Sequence, residues 1–146
     1  MSTAQNLEVI REIFAAIERR DQERFARLCT PDLELHWPPS LPYGGISRGL
    51  ENRKPGWQDT WMSLQPTDAE RRMEPRVVAA TDEEAVVLWH QRGMSPTGER
   101  IDQPVLGLYG FRDGRLARGQ MFYFDTADVA RFLTQTNSET SAAGIT

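Results

Sequence analysis

The residues best suited to chemistry in this sequence are His90, Arg92, Tyr109 and Gln120. Histidine has a reference pKa of about 6.5, so the imidazole of His90 suits general acid or base catalysis near neutral pH. Arg92 lies two residues further along the same predicted strand, and a guanidinium can bind an anionic or enolate oxygen. The Tyr109 hydroxyl can donate a hydrogen bond to a carbonyl group, and Gln120 offers an amide. These four residues are the candidate catalytic set.

Each candidate also has a simpler structural interpretation. His90 can be a hydrogen-bonded structural histidine, and a shift of one residue along its strand would point it outward. Arg92 lies near a strand end, where such a side chain is often solvated. Tyr109 and Gln120 can be packing residues or can make structural hydrogen bonds. Asp125, outside this set, precedes a predicted helix and is interpreted as its N-cap. The sequence contains no metal-ligand spacing, phosphate-binding loop or Ser/His/Asp arrangement, so we expect neither a metal nor a cofactor.

The candidate substrate-binding residues are mostly large apolar side chains. Such rings fill protein cores and also line ligand pockets. Trp57 and Trp61 share one face of a predicted helix with Leu64, so core packing and an aromatic pocket wall are both open. Tyr43 belongs to a loop rich in Pro and Gly, 38–45, of the kind that borders pockets. The full set is Trp37, Tyr43, Trp57, Trp61, Leu88, Phe122 and Phe124.

The elements that must position these residues are helices and antiparallel strands. Apolar residues at helical spacing predict two helices between Ala4 and Cys29, and alternation from Leu33 to Trp37 predicts a strand with His36 facing outward. A helix ending near Leu64 and a closing helix after Asp125 are also predicted. The remaining predicted strands are Met73–Val78, Ala85–Arg92, Val105–Phe111 and Ala117–Phe124, with a long loop over 93–103. Helices segregated to one side of an antiparallel sheet make an α+β fold.

Composition narrows the possible partners. The 146 residues are 39% hydrophobic, which suits one compact domain over 1–135 followed by a polar tail, 136–146, predicted to be disordered. The net charge of −4 and the scattered arginines argue against nucleic acid. No apolar run reaches membrane-spanning length and the first residues do not resemble a signal peptide, so we expect a cytoplasmic protein with no membrane partner. The single Cys29 is interpreted as a small buried residue.

The order of several short motifs resembles the nuclear-transport-factor-2-like superfamily. The motifs follow a pair of opening helices, and the likeness covers roughly residues 6 to 135. Within the superfamily the chain is most similar to the SnoaL-like polyketide cyclases, with ketosteroid isomerases and limonene epoxide hydrolases more distant. The motifs are the Thr30-Pro31-Asp32 turn, the loop from Tyr43 to Gly49, the turn from Phe111 to Leu116, and Tyr123-Phe124-Asp125.

This resemblance implies a curved sheet wrapped with the N-terminal helices into a cone around a small-molecule cavity. Aligning Ala85-Val86 with the family implies that Leu88, His90 and Arg92 face the cavity, with Trp89 and Gln91 on the other face. Tyr109 and Gln120 would then also face inward. The family's proton-handling positions fall here on residues that do not ionise. These are Ile13, Trp37, Gly107, and either Met121 or Phe122, because the register of the last strand is open by one residue.

Two classes of function follow from the resemblance and the residues together. The first is a cofactor-independent enzyme of secondary metabolism, a SnoaL-like cyclase, isomerase or dehydratase (a lyase) acting on a polyketide-like or other carbonyl-bearing substrate. The alternative is a non-catalytic protein of the same fold that binds a hydrophobic ligand, with epoxide hydrolysis as a further possibility. The predicted strand Val105–Phe111 is apolar on both faces, so we expect a homodimer through the outer face of the sheet, including Trp89.

Overall fold

Two helices open the chain and supply one wall of the interior. A computed structural model describes residues 2–50 and 56–145, with side chains through Asn137. Helix α1, Thr3–Arg19, begins with a capping box between Ser2 and Gln5 and buries Ile10, Ile13 and Phe14 on one face. Helix α2, Gln22–Leu28, follows after the Asp21 cap. Both predicted helices are therefore confirmed.

The strands form a six-stranded sheet in the order β2-β1-β6-β5-β4-β3. Every neighbouring pair is antiparallel except β1 and β6, which run parallel. Helices on one side of this curved sheet confirm the α+β prediction. The strand bounds are β1 Cys29–Trp37, β2 Gly45–Arg48, β3 Arg76–Ala80, β4 Glu84–Met94, β5 Arg100–Arg112 and β6 Arg115–Tyr123.

Several parts of the sheet differ from the sequence prediction. Strand β1 begins at Cys29 and not at Leu33, and β3 covers Arg76–Ala80 and not Met73–Val78. Strand β2 is not predicted, because it is short, mostly exposed and preceded by the Pro- and Gly-rich loop. The loop predicted over 93–103 is too long, since β4 and β5 pair as far as Met94 and Arg100. Gly93, Asp102 and Pro104 are poor strand formers, but the cross-strand pairing overrides their local preference.

Short helices connect β2 to β3, and a long helix closes the chain. Helix α3, Trp57–Trp61, runs into a 3₁₀ turn, Met62–Leu64, and α4 covers Asp68–Arg71. The expected helix start at Pro55 lies outside the described residues. Helix α5, Thr126–Ile145, begins where the Asp125 carboxylate accepts a hydrogen bond from the Asp128 N–H at 3.0 Å, as expected for its cap.

Helix α5 is longer than predicted, because its backbone stays helical to Ile145 through the segment where the sequence predicts a disordered tail. Val129, Phe132, Leu133 and Thr136 are all buried on one side of the helix, so packing extends it past Leu133. No helix in the described part of the chain is both long enough and apolar enough to cross a membrane.

The inner face of the sheet carries the alternate residues of three long strands. Trp89 of β4 pairs with Val105 of β5, and Val105 pairs with Tyr123 of β6, so these residues make one row on the inner face, where Trp89 packs against Phe14 of α1. All three are buried. The inner set on β4 is Ala85, Val87, Trp89, Gln91 and Gly93, and on the neighbouring strands it includes Gly107, Tyr109, Gly119 and Met121. The intervening residues of each strand point to the outer face.

Candidate ligand-binding cavity

A cavity of about 810 Å³ lies between the helices and the inner face of the sheet. Ile13, Phe14 and Ile17 of α1 line one side of it, because they share a helix face that the sheet does not fully cover. Trp89 and Tyr109 belong to the opposite wall. A volume of this size is in the range of small-molecule sites.

Aromatic rings shape one part of the cavity wall. Trp37 and Trp57 both line it, with parallel rings whose centroids are 6.0 Å apart. Tyr43 meets Trp37 edge-on at 5.2 Å, so the ring of β1 contacts the loop before β2. Trp61 does not line this cavity, because it is fully buried and stacks on Phe132 of α5 at 6.0 Å. Of the predicted helical Trp pair, Trp57 is therefore a wall residue and Trp61 a core residue.

Two tyrosine hydroxyls form the main polar feature of the interior. The Tyr43 and Tyr123 hydroxyl oxygens are 2.6 Å apart, and the Trp61 indole N–H donates to the Tyr43 hydroxyl at 3.2 Å. Burial raises the pKa of Tyr43 to about 12, against smaller lowering effects from Tyr123 and Trp61, and burial also raises the pKa of Tyr123. Both groups therefore keep their protons at neutral pH.

This pair has more hydroxyl protons than the described contacts use. Each hydroxyl carries one proton, so the pair has two. The bond between Tyr43 and Tyr123 uses one of these protons, and the bond from Trp61 to Tyr43 is made by the indole proton. One hydroxyl proton of the pair thus has no acceptor among the described residues. Tyr43 lines the cavity, so the pair can present a hydrogen-bond donor to a ligand there.

A second buried polar contact joins Trp57 to β4. Its indole N–H donates to Oε1 of Gln91 at 2.5 Å, and the Gln91 side chain is fully buried. Gln65 donates to the Arg92 carbonyl oxygen at 2.9 Å, which ties the chain after α3 to the same strand. These bonds hold the Trp57 ring in the cavity wall. The sequence does not identify Gln91 as an inward residue. Strand β4 is apolar on both faces, so its alternation does not show which face is turned toward the interior.

Comparison with known proteins identifies the family. A model of the SnoaL-like domain matches residues 10–119. The chain belongs to the SnoaL-like domain family. It is 27% identical to an uncharacterized protein of Mycobacterium tuberculosis over 132 residues, covering 90% of this chain and 98% of the relative.

Solved structures share the fold at lower sequence identity. TerC, co-crystallized with polyporic acid, has a TM-score of 0.74 and 22% identity, covering 89% of this chain and 98% of that one. A putative SnoaL-like polyketide cyclase from Jannaschia has a TM-score of 0.64 and 18% identity, covering 84% of this chain and 87% of that one. An NTF2-like protein from Burkholderia xenovorans has a TM-score of 0.67 and 20% identity, covering 90% of this chain and 97% of that one, which confirms the expected nuclear-transport-factor-2-like fold.

Within this SnoaL-like domain, the predicted inward orientation of His90 and Arg92 is wrong. Both lie on the outer face of β4, because the bulky Trp89 and Gln91 occupy the interior. His90 Nδ1 is 2.8 Å from Asp102 Oδ1, and Arg92 bonds to Asp102 at 3.0 Å and to Glu74 at 2.9 Å. Burial opposes ionisation of Asp102, but the bonds from His90 and Arg92 outweigh it and lower the carboxyl pKa.

The orientation expected for four further residues is also wrong. Leu88, Gln120, Phe122 and Phe124 lie on the outer face, and Phe122 and Phe124 are 51% and 74% exposed. Met121 is the inward residue of β6, which resolves the register that the sequence leaves open. Arg118 donates to Gln120 Oε1 at 3.2 Å on that outer face. Large side chains occur on both faces of β6, so the sequence is compatible with either Met121 or Phe122 facing inward.

Other predicted positions agree with the structure. Trp37, Tyr43, Trp57 and Tyr109 all line the cavity. His36 faces outward, with Nε2 at 2.5 Å from Glu34 Oε1. Cys29 is buried, and burial raises the pKa of its thiol to about 12, in keeping with a structural residue.

Proposed function

We propose that this SnoaL-like domain binds a flat, hydrophobic, carbonyl-bearing small molecule and promotes its cyclisation, isomerisation or dehydration without a cofactor. The observation that carries the proposal is the Tyr43–Tyr123 hydroxyl pair, 2.6 Å apart, of which Tyr43 belongs to the wall of a cavity lined mainly by apolar residues. The ligand's carbonyl oxygen would accept the hydroxyl proton that the described contacts leave unused. Aromatic or polyketide-like compounds of secondary metabolism belong to this chemical class.

The chemical role of the pair follows from charge development. When a carbonyl becomes an enol or enolate, negative charge grows on its oxygen, and a hydrogen bond to that oxygen strengthens. A phenol that already accepts a bond from the Trp61 N–H is a better donor, because neighbouring hydrogen bonds polarise one another. The raised pKa of Tyr43 keeps it protonated for this purpose. Both tyrosines are buried, which limits competition from water at the hydroxyl pair.

The structural neighbours support the ligand class. TerC was co-crystallized with polyporic acid, and the Jannaschia protein is described as a putative SnoaL-like polyketide cyclase. Trp37 and Trp57 would provide flat surfaces for a compound of that kind. Polyporic acid is therefore a suitable first probe.

The test compares wild type with Tyr43→Phe. Quenching of the cavity tryptophans by polyporic acid measures binding, and mass spectrometry of candidate polyketide substrates measures turnover. We expect Tyr43→Phe to lower turnover by about 100- to 1000-fold, the usual effect of losing one oxyanion donor, with a smaller loss of affinity. Phe124→Leu, on the outer face, should change neither. Equal turnover in wild type and Tyr43→Phe would contradict the proposed role.

A second candidate function is ligand binding without turnover. It is favoured by the position of His90, the expected general acid or base, which bonds to Asp102 on the outer face of β4 and does not line the cavity. In this case Tyr43→Phe would weaken binding by about fivefold and no product would form in any variant. Epoxide hydrolysis has less support, since Arg92 and Asp102 bond to each other on the other side of the sheet.

We also propose a cytoplasmic homodimer that associates through the outer face of the sheet. Leu106 is 38% exposed and lies beside Phe122 on the neighbouring strand, so an apolar surface continues across β5 and β6. Trp89, expected on this face, is instead buried inside. A Phe122→Glu variant should sediment as a monomer if the surface is the interface. A dimer that persists in this variant would refute the assignment.

A further inference from the structure

We propose that the cavity contains a second hydrogen-bonding point, formed by the Trp89 indole N–H and the Tyr109 hydroxyl, so that the ligand carries two acceptor oxygens. This inference rests on the proposed function and specifies its ligand class. The first oxygen binds the Tyr43–Tyr123 pair. The second binds Trp89 and Tyr109, which makes a quinone or another fused-ring dicarbonyl the favoured ligand.

Trp89 provides an unused donor. Its side chain is 1% exposed and lines the cavity, yet Nε1 has no hydrogen-bond partner in the described part of the chain. Buried indole N–H groups usually find an acceptor. The rings of Phe14 and Tyr123 pack around Trp89 at 6.3 and 6.5 Å, so the indole cannot easily turn toward another partner. A ligand oxygen in the cavity would satisfy this donor.

Tyr109 provides a donor that is only weakly used. Its hydroxyl donates to the Met121 sulfur at 3.6 Å, and a thioether is a weak acceptor. Burial raises the pKa of Tyr109, and the Trp89 indole N–H, acting as a hydrogen-bond donor toward its hydroxyl, opposes this rise. The two polar groups therefore lie beside each other, although the contact does not meet the geometry of a hydrogen bond and leaves the indole N–H free for a better acceptor. An acceptor oxygen there would receive bonds from both groups. This is stronger anchoring than either donor gives alone.

Gly107 creates the space that the Tyr109 hydroxyl occupies. A Cβ atom at Gly107 would lie 2.5 Å from the Tyr109 hydroxyl oxygen and 2.5 Å from two of its ring carbons. The ring therefore lies against the backbone of its own strand, and any larger residue would displace it. Gly107 is a positioning residue for this second point.

The two points are close enough for one fused-ring ligand. The Tyr109 hydroxyl lies over Gly107, two residues and about 7 Å along β5 from Val105, the partner of Tyr123. Trp89 lies in the same row as Tyr123, and their ring centroids are 6.5 Å apart. Two oxygens on opposite sides of one ring system can meet such a spacing. A compound with one carbonyl can use only one point at a time.

The test uses 9,10-anthraquinone and anthrone, which differ by one carbonyl group. Binding is measured by quenching of tryptophan fluorescence in wild type, Tyr109→Phe and Tyr43→Phe. We expect wild type to bind the quinone about five- to tenfold more tightly than anthrone, as one further hydrogen bond implies. Tyr109→Phe should reduce that preference toward one. Ile17→Val, which removes a methyl group from the same cavity, should change both affinities by the same factor.

The outcomes separate the two proposals. Tighter quinone binding in wild type together with loss of the preference in Tyr109→Phe supports the second point. If both compounds bind, Tyr43→Phe weakens them, and the preference is absent or survives in Tyr109→Phe, the second point is refuted while the proposed function stands. If neither compound nor polyporic acid binds, the proposed function fails, and the second point fails with it.

Discussion

Replacement of Gly107 by alanine tests how tightly the cavity wall is packed. The new Cβ would lie 2.5 Å from the Tyr109 hydroxyl oxygen and ring carbons, where carbon atoms normally stay about 3.5–4.0 Å apart. The Tyr109 ring must therefore move by about 1 Å or more, and it is buried among Phe14 and Met121. Overpacking of this kind costs about 1–3 kcal/mol in the free energy of unfolding.

Gly110→Ala is the matched control on the same strand. Its Cβ would meet only the Arg118 Cβ, at 3.6 Å, which is an ordinary contact. Replacing glycine by alanine reduces the conformational entropy of the unfolded chain by the same amount at both positions. The stabilising effect of that reduction therefore cancels in the comparison. The difference in unfolding free energy between Gly107→Ala and Gly110→Ala, measured by urea titration of ellipticity, should thus be about 1–3 kcal/mol.

A double-mutant cycle then assigns the cause. In a Tyr109→Leu background the clash is removed, so Gly107→Ala should lose most of its penalty. Equal stability of the two alanine variants would refute the packing geometry. So would an undiminished penalty in the Tyr109→Leu background, because the ring could not then be the obstacle.

Two other substitutions test the polar contacts. Trp57→Phe leaves the buried Gln91 oxygen without its hydrogen-bond donor. In urea titrations it should therefore lower the unfolding free energy by about 1–3 kcal/mol more than Trp37→Phe does. Equal losses in the two variants would contradict this. Asp102→Asn should flatten the acid side of the stability profile. The pKa of Asp102 is lowered in the folded state, so its stabilising effect is complete above the unfolded value of about 3.9 and is lost as pH falls through the folded value. The urea midpoint measured from pH 7 to pH 3 checks this, and a variant curve parallel to wild type would show that Asp102 is not responsible.

The order of elements could be predicted from the sequence because local patterns encode it. The apolar spacing around Ile10 and Phe14 is helical, and the aromatic and β-branched runs before and after Asp113-Gly114 are strand-like. The motif order over the same region was enough to indicate the SnoaL-like family. Tyr109 was also placed correctly, since it shares parity with the inward Gly107.

The direction of β4 could not be predicted, because the strand is apolar on both faces. Val86 and Leu88 alternate with Val87 and Trp89, so a shift of one residue leaves an equally apolar interior. Tertiary contacts decide that Trp89 faces inward and His90 outward: the Trp89 ring packs against Phe14 of α1, and Gln91 accepts the Trp57 N–H. The same applies to Met121 and Phe122 on β6.

The sequence by itself determined the fold class, the family and the order of the long elements, since these depend on residue spacing along short segments. The tertiary structure alone decided the chemistry of the cavity. Tyr43 and Tyr123 are 80 residues apart in the chain, and their hydroxyl contact exists only because the loop before β2 is brought against the end of β6. No local pattern encodes such a pair, because its energy arises from burial and hydrogen bonding in the assembled interior.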